Sequence, residues 1–229
     1  MRWRGANPEY EAIGKGGSLQ ETLEALRDRV HSMIPAATVA VHDRAAEELR
    51  RSGIAERILA AGSKAPAFEL PDKDGKMVRS EDLLARGRLV VKFFRGRWCP
   101  YCIAELEAYN ELLQEIEAAG ATLVAASPQT VRQTFFLADQ HQLRFPLLSD
   151  AGNAVARQFG LVYRLPEDLK AVFQRAFINL VHSNGDSSWE LPLPAAYVLD
   201  RDGTVLYAAA DCDFRRRPDP AAVLAALRA

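Results

Sequence analysis

The chain has 229 residues, a formal net charge of -1 and 48% hydrophobic residues. That is apolar material for one large domain with a packed core, and the balance of charge excludes a broad basic groove for nucleic acid. No stretch approaches the roughly 18–20 apolar residues of a membrane helix. The opening MRWRGANPEYEAIGKGG has charges without the apolar run of a secretory signal, so a cytosolic protein is expected.

Residues 1–17 read as a polar, loose tail. Ser18 with Glu21 three positions on forms a capping box, and Leu19, Leu23, Leu26, Val30 and Met33 follow at helical spacing. A second helix is expected from Ala36 to Arg51, stopped at Gly53. Together these make residues 1–61 a tail with a helical extension, ahead of a main domain over 62–229. The apolar stripe must be covered, either by the chain's own domain or by a second copy in a homodimer. The extension is therefore read as a packing or pairing element that stands apart from any catalytic group.

From Gly62 the character changes. Asp74-Gly75 reads as a hairpin turn, and RLVVKFF (Arg88–Phe94) as a buried strand. A helix is expected from Pro100 to about Ala119, a second buried strand over Ala121–Ser127, and a helix over Val131–Gln142. A short strand over Phe145–Leu148 and a helix over Ala151–Phe159 come next, then a mixed insertion over 161–190. Ala196–Asp200 and Val205–Ala209 flank the turn Arg201-Asp202-Gly203, and Pro220–Ala229 closes the chain as a helix. Strands alternating with helices before a final hairpin predict an α/β domain: a mixed central sheet with helices on both faces. The run Arg215-Arg216-Arg217 reads as a solvated turn.

The chemistry concentrates at Cys99-Pro100-Tyr101-Cys102, between the buried strand and a helix. A spacing of three puts both sulfurs on one helix face, within reach of a disulfide. The positive end of the helix favours a thiolate, below the roughly 8.5 of a free thiol, and Arg95 and Arg97 add positive charge. A zinc site needs four ligands, which Cys212 and the scattered His31, His42, His141 and His182 do not assemble with this pair. The expectation is a redox dithiol with Cys212 as a spare thiol, no metal and no cofactor. Trp98 reads either as a wall of the site or as core packing.

WCPYC after an apolar strand resembles thioredoxin, and GSKAPAFELPDKD followed by strand and helix resembles the peroxiredoxins, the alkyl hydroperoxide reductase and thiol-specific antioxidant group. FFRGRWCPYC, ASPQT, FPLLSD, GNAVARQFGL, NGDSSWELPLPA and DRDG are similar to the peroxiredoxin-like branch whose members carry a thioredoxin-type CxxC. The resemblance implies a thioredoxin-like fold and puts the peroxide-attacking cysteine at Cys102, with Glu105 as the acidic residue three positions later. Three other peroxide-binding positions are changed: the usual threonine is Cys99, the usual proline is Arg95, and the usual arginine is Pro194. Pro194 instead occupies the position of thioredoxin's cis-proline, while thioredoxin's buried aspartate is replaced by Phe93.

Thiol-dependent reduction of hydroperoxides through a Cys99/Cys102 cycle is the leading expectation. Thiol–disulfide exchange on proteins and a non-enzymatic redox sensor are the alternatives. The implied partners are a peroxide or disulfide substrate and an external thiol reductant, either a thioredoxin-like protein or a small thiol. Arg95 stands in for the lost arginine or lies on the surface. Glu105 shuttles protons or is a solvated helix residue.

Overall fold

The structure, a computed structural model, describes residues 18–229; the tail expected over 1–17 lies outside them. Helix α1 (Leu19–Met33) starts at the anticipated capping box: the Glu21 N–H donates to Ser18 Oγ, and the Ser18 N–H donates to the Glu21 carboxylate. Helix α2 (Ala36–Arg51) ends before Gly53, which is left-handed at φ 70°. A short hairpin follows, β1 (Glu69–Pro71) with β2 (Met77–Arg79), and then helix α3 (Ser80–Leu84).

The central sheet is built from β3 (Arg88–Phe93), β4 (Ala121–Ser127), β5 (Leu147–Ser149), β8 (Ala195–Leu199) and β9 (Val205–Ala210). Its order is β5-β4-β3-β8-β9. β3–β4 and β4–β5 are parallel, while β3–β8 and β8–β9 are antiparallel, which is the mixed sheet expected. The parallel pairs are joined through helices because a hairpin cannot connect parallel strands. The connections are α4 (Pro100–Glu111) with α5 (Leu113–Ala118), and α6 (Val131–His141). One continuous helix was expected over Pro100–Ala119; it divides at Leu112, whose ψ of 2° leaves the helical region.

Alternation along the strands sorts the core into two layers. Val90, Leu123, Ala125, Ala196 and Val198 face α1, α4, α5 and the closing helix α10 (Pro220–Arg228). Leu89, Val91, Phe93, Val124, Tyr197 and Leu199 face Leu83 of α3 and the Val155–Phe159 segment, which contains helix α7 (Ala154–Gln158). The insertion over 161–190 resolves into a ribbon of β6 (Val162–Arg164) and β7 (Glu190–Pro192) around helices α8 (Glu167–Arg175) and α9 (Leu180–Asn184). Leu165, Leu169, Phe173, Leu180 and Leu191 form its own apolar cluster, against which Val41 and Ala45 of α2 and Trp98 pack.

The stripe on α1 is covered within the chain. Leu19, Leu23 and Leu26 are buried in the same cluster as Leu106 and Tyr109 of α4, while Met33 stays exposed. The apolar face that would have called for a second copy is thus already occupied. Leu23→Ala is expected to lower unfolding free energy by about 2–5 kcal/mol through the lost contacts and the remaining cavity. Denaturant titration reads this directly, and an unchanged midpoint would contradict the packing of α1 on α4.

Candidate active site

β3 leads through Phe94-Arg95-Gly96-Arg97-Trp98 into α4, with Cys99 as the N-cap residue and Pro100 in the first turn. Gly96 makes the turn possible: its φ is 145°, and a Cβ there would meet Trp98 Nε1 at 2.6 Å. The Cys99 N–H donates to the Gly96 carbonyl at 3.1 Å, and the Cys102 N–H to the Cys99 carbonyl at 3.0 Å. Arg97 is anchored sideways, its backbone N–H and its guanidinium each donating to a glutamine, Gln129 and Gln133, at 3.0 Å. Both cysteines of the motif are buried, Cys99 at 1% and Cys102 at 0% exposure.

Two arginines hold the sulfurs. The Arg95 backbone N–H lies 3.4 Å from Cys102 Sγ and its Nη1 3.8 Å from Cys99 Sγ. Arg217 Nη2 lies 3.5 Å from Cys102 Sγ, and its Nη1 donates to Glu105 Oε2 at 3.0 Å. Glu105 Oε1 in turn accepts from Lys92 Nζ at 2.6 Å, and all three charged side chains are wholly buried. The arginine run is therefore no solvated turn. Arg217 is buried in the site and Arg215 is bound to Asp213 and Asp43; the anionic partners supplied by α4 and α2 explain why the run folds inward. Glu105 is likewise no solvated helix residue, and Arg95, 2% exposed, is no surface arginine.

Burial raises both thiols, but at Cys102 it is outweighed by the hydrogen bond from Cys99 and the charges of Arg217 and Arg95, which bring the thiol down to about 5. Cys99 is pushed well above the ordinary thiol value by burial and by its thiolate neighbour. The charges of Arg217 and Arg95 thus favour the thiolate on the inner sulfur of the pair, and burial disfavours it on Cys99. The helix terminus favours a thiolate in the motif, and the buried cations add to this at Cys102.

Cys99, and not Cys102, lines a pocket of about 140 Å³. Trp98, Phe173, Ile178 and Phe214 give it apolar walls, and Arg95 is on its lining. The Arg95 guanidinium is stacked against Phe214 and Trp98, 4.1 and 4.8 Å from the ring centres, and its Nε has no hydrogen-bond partner among the described residues. Trp98 also meets Phe173 edge-on at 5.1 Å, so it both lines the pocket and packs on the apolar cluster of the insertion. Val30, His31 and Ile34 at the end of α1 and His42 of α2 are also on the lining, as are Tyr101 and Arg215. Burial first, then Arg95 and Arg215, lower His42 to about 4, leaving it neutral at neutral pH. The helical extension does not stand apart from the site: it supplies one side of it.

Pro194 differs from expectation. No peptide bond among the described residues is cis, so the bond from Leu193 is trans. Pro194 is buried directly before β8, where the chain passes from the insertion ribbon to the central sheet, and it does not line the pocket. Phe93 packs on the opposite layer against Phe159 and Tyr197. Cys212 also packs toward that layer, away from the dithiol. Among the described residues no group of three or more His, Cys, Asp or Glu is gathered to hold a metal ion. Elemental analysis of protein purified without chelator is expected to show well below one zinc per chain; a stoichiometric amount would contradict the reading of the pair as a dithiol.

The sequence model of the AhpC/TSA family matches residues 61–208. The chain belongs to the AhpC/TSA family. α1 and α2 lie outside the matched segment. A protein of Mycobacterium tuberculosis (strain ATCC 25618 / H37Rv) that bears a peroxiredoxin name is 35% identical over 150 residues, 66% of this chain and 84% of its own. Thiol-disulfide oxidoreductase ResA of Bacillus cereus (strain ATCC 10987 / NRS 248) is 24% identical over 152 residues, 66% of this chain and 70% of its own. Among solved structures, peroxidoxin BcpB of M. tuberculosis superposes with a TM-score of 0.59 at 27% identity, covering 74% of this chain and 97% of that one. This member of the family is a cysteine-based oxidoreductase on a thioredoxin-type fold. No helix among its described residues is long and apolar enough to cross a membrane.

Proposed function

We propose that this chain reduces small organic hydroperoxides through a Cys99/Cys102 dithiol–disulfide cycle, with Cys99 as the attacking sulfur. The observation that carries the reading is the pocket, which has Cys99 and Arg95 on its lining while Cys102 lies behind it. A cavity of about 150 Å³ accommodates a benzene molecule, so this pocket suits the organic part of a hydroperoxide and is too small for a folded protein surface.

The attacking form is a minor one, in which the Cys99 proton has passed along their hydrogen bond to Cys102, against the order of the two thiols in the resting pair. The Cys99 thiolate attacks the terminal peroxide oxygen; the O–O bond breaks, and with one proton taken up the alcohol leaves and Cys99 becomes a sulfenic acid. The Arg95 guanidinium, on the pocket lining, supplies positive charge as negative charge builds on the leaving group. Cys102 then attacks the Cys99 sulfur, releasing water and forming the disulfide. Two equivalents of an external thiol, from a small molecule or a thioredoxin-like protein, restore the pair and leave as their own disulfide.

The ResA relationship supports a second reading, in which the same pair exchanges disulfides with proteins. Stopped-flow oxidation by cumene hydroperoxide, run beside insulin reduction, separates the two. Rapid loss of two thiols per chain with slow insulin reduction is expected. Rapid insulin reduction with thiols inert to peroxide would establish the exchange reading instead.

A further inference from the structure

Lys92 is the one charged residue in the interior of β3, with apolar neighbours on both sides in sequence. Its partners across the sheet are Ala125 on β4 and Ala196 on β8, both small, and its ammonium lies 5.0 Å from the centre of the Tyr109 ring. A buried ammonium costs free energy unless it is paired, and a methionine of similar length would fill this space without that cost. The work done by the ammonium is therefore electrostatic. It holds one oxygen of Glu105 at 2.6 Å while Arg217 holds the other at 3.0 Å. Arg217 keeps a second nitrogen for Cys102 Sγ.

We propose that Lys92 is a positioning residue of the dithiol: by sharing Glu105 it prevents that carboxylate from drawing Arg217 wholly to itself, and so keeps the guanidinium aimed at Cys102. The proposal rests on the pair being the redox site, but its readout needs no peroxide. The groups facing the pair are Lys92 from β3, Arg95 from the turn after it, Tyr101 and Glu105 from α4, Arg217 ahead of α10, and Tyr163 from the insertion ribbon. In the reduced protein, three buried cations (Lys92, Arg95, Arg217) face two anions (Glu105 and the thiolate), a surplus of one positive charge. Forming the disulfide removes the thiolate and leaves three cations against Glu105, a surplus of two. Lys92 therefore also favours the reduced form and makes the disulfide more oxidising.

The test is Lys92→Met in the full chain, followed by thiolate absorbance against pH and by equilibration with a glutathione redox buffer. The thiolate midpoint is expected to rise by about one unit or more, corresponding to roughly tenfold less thiolate below the midpoint, and the equilibrium to shift toward the disulfide. Lys92→Arg is expected to restore both. A folded Lys92→Met protein with the wild-type midpoint and equilibrium would overturn the proposal, since a purely packing role would change stability alone. If that variant does not fold, the Lys92→Met, Glu105→Gln pair removes both charges together and frees Arg217 for Cys102. Its midpoint is expected within about half a unit of wild type. A rise of a full unit there would mean that Lys92 does not act through Glu105, and would equally overturn the proposal.

Discussion

Cys99→Ser is expected to abolish peroxide turnover and, with it, any rapid first oxidation, because the remaining sulfur lies behind the pocket rather than on its lining. Cys102→Ser is expected to abolish turnover too, but differently. One equivalent of hydroperoxide still oxidises Cys99, more slowly because the base that accepts its proton is gone, and the sulfenic acid persists for want of a resolving thiol. A dimedone adduct mapped by peptide mass spectrometry should therefore fall on Cys99 in the Cys102→Ser protein and be nearly absent from the Cys99→Ser protein. The reverse pattern would assign attack to Cys102, as the resemblance to the peroxiredoxins implies for that position. Cys212→Ser is expected to retain turnover, since that thiol packs toward the other layer of the sheet.

Arg217→Met should produce the second largest change. Its guanidinium bridges Cys102 Sγ and Glu105, and its removal leaves the thiolate dependent on Cys99 and Arg95. A rise of the thiol midpoint from about 5 by about two units is expected, which lowers the thiolate fraction at pH 6 from about nine-tenths to about one-tenth. The direction follows from the depressed thiol: thiolate is present above the folded midpoint and lost as the pH falls through it, so the variant loses reactivity at a higher pH than wild type. Glu105 keeps Lys92, which limits the damage to folding, although breaking a buried ion pair of this kind typically costs about 3–5 kcal/mol. A thiol titration identical to wild type would remove Arg217 from the account.

The parts of this site that sequence reveals are those set by neighbours in the chain. Strand, glycine turn and helix around Cys99 and Cys102 follow from local chemistry, as do the Ser18–Glu21 box and the hairpin turn at Asp202-Gly203. Arg217 is invisible by that route: it reaches Glu105 from 112 residues away, and nothing in a run of three arginines marks which one turns inward. Lys92 is similarly hidden inside a strand that reads as a uniform buried segment, because its partner comes from the facing helix. The pocket needed three distant segments, α1–α2, α8 with Ile178, and Phe214, to meet over one sulfur. Periodicity showed that the stripe on α1 had to be covered, but not that the end of the same helix would wall the site. The thioredoxin likeness at Pro194 extended to its place before β8 and not to the conformation of its peptide bond.

In the proposed cycle a hydroperoxide draws its two electrons from Cys99 and Cys102 of one chain. Anaerobic mixing of the reduced protein with one equivalent of cumene hydroperoxide, followed by thiol counting and peptide mapping, tests it in a single turnover. One alcohol formed per chain, two thiols lost, and a Cys99–Cys102 disulfide with Cys212 still free are expected. A disulfide that includes Cys212, a link between chains, or alcohol formed with all three thiols intact would contradict the cycle.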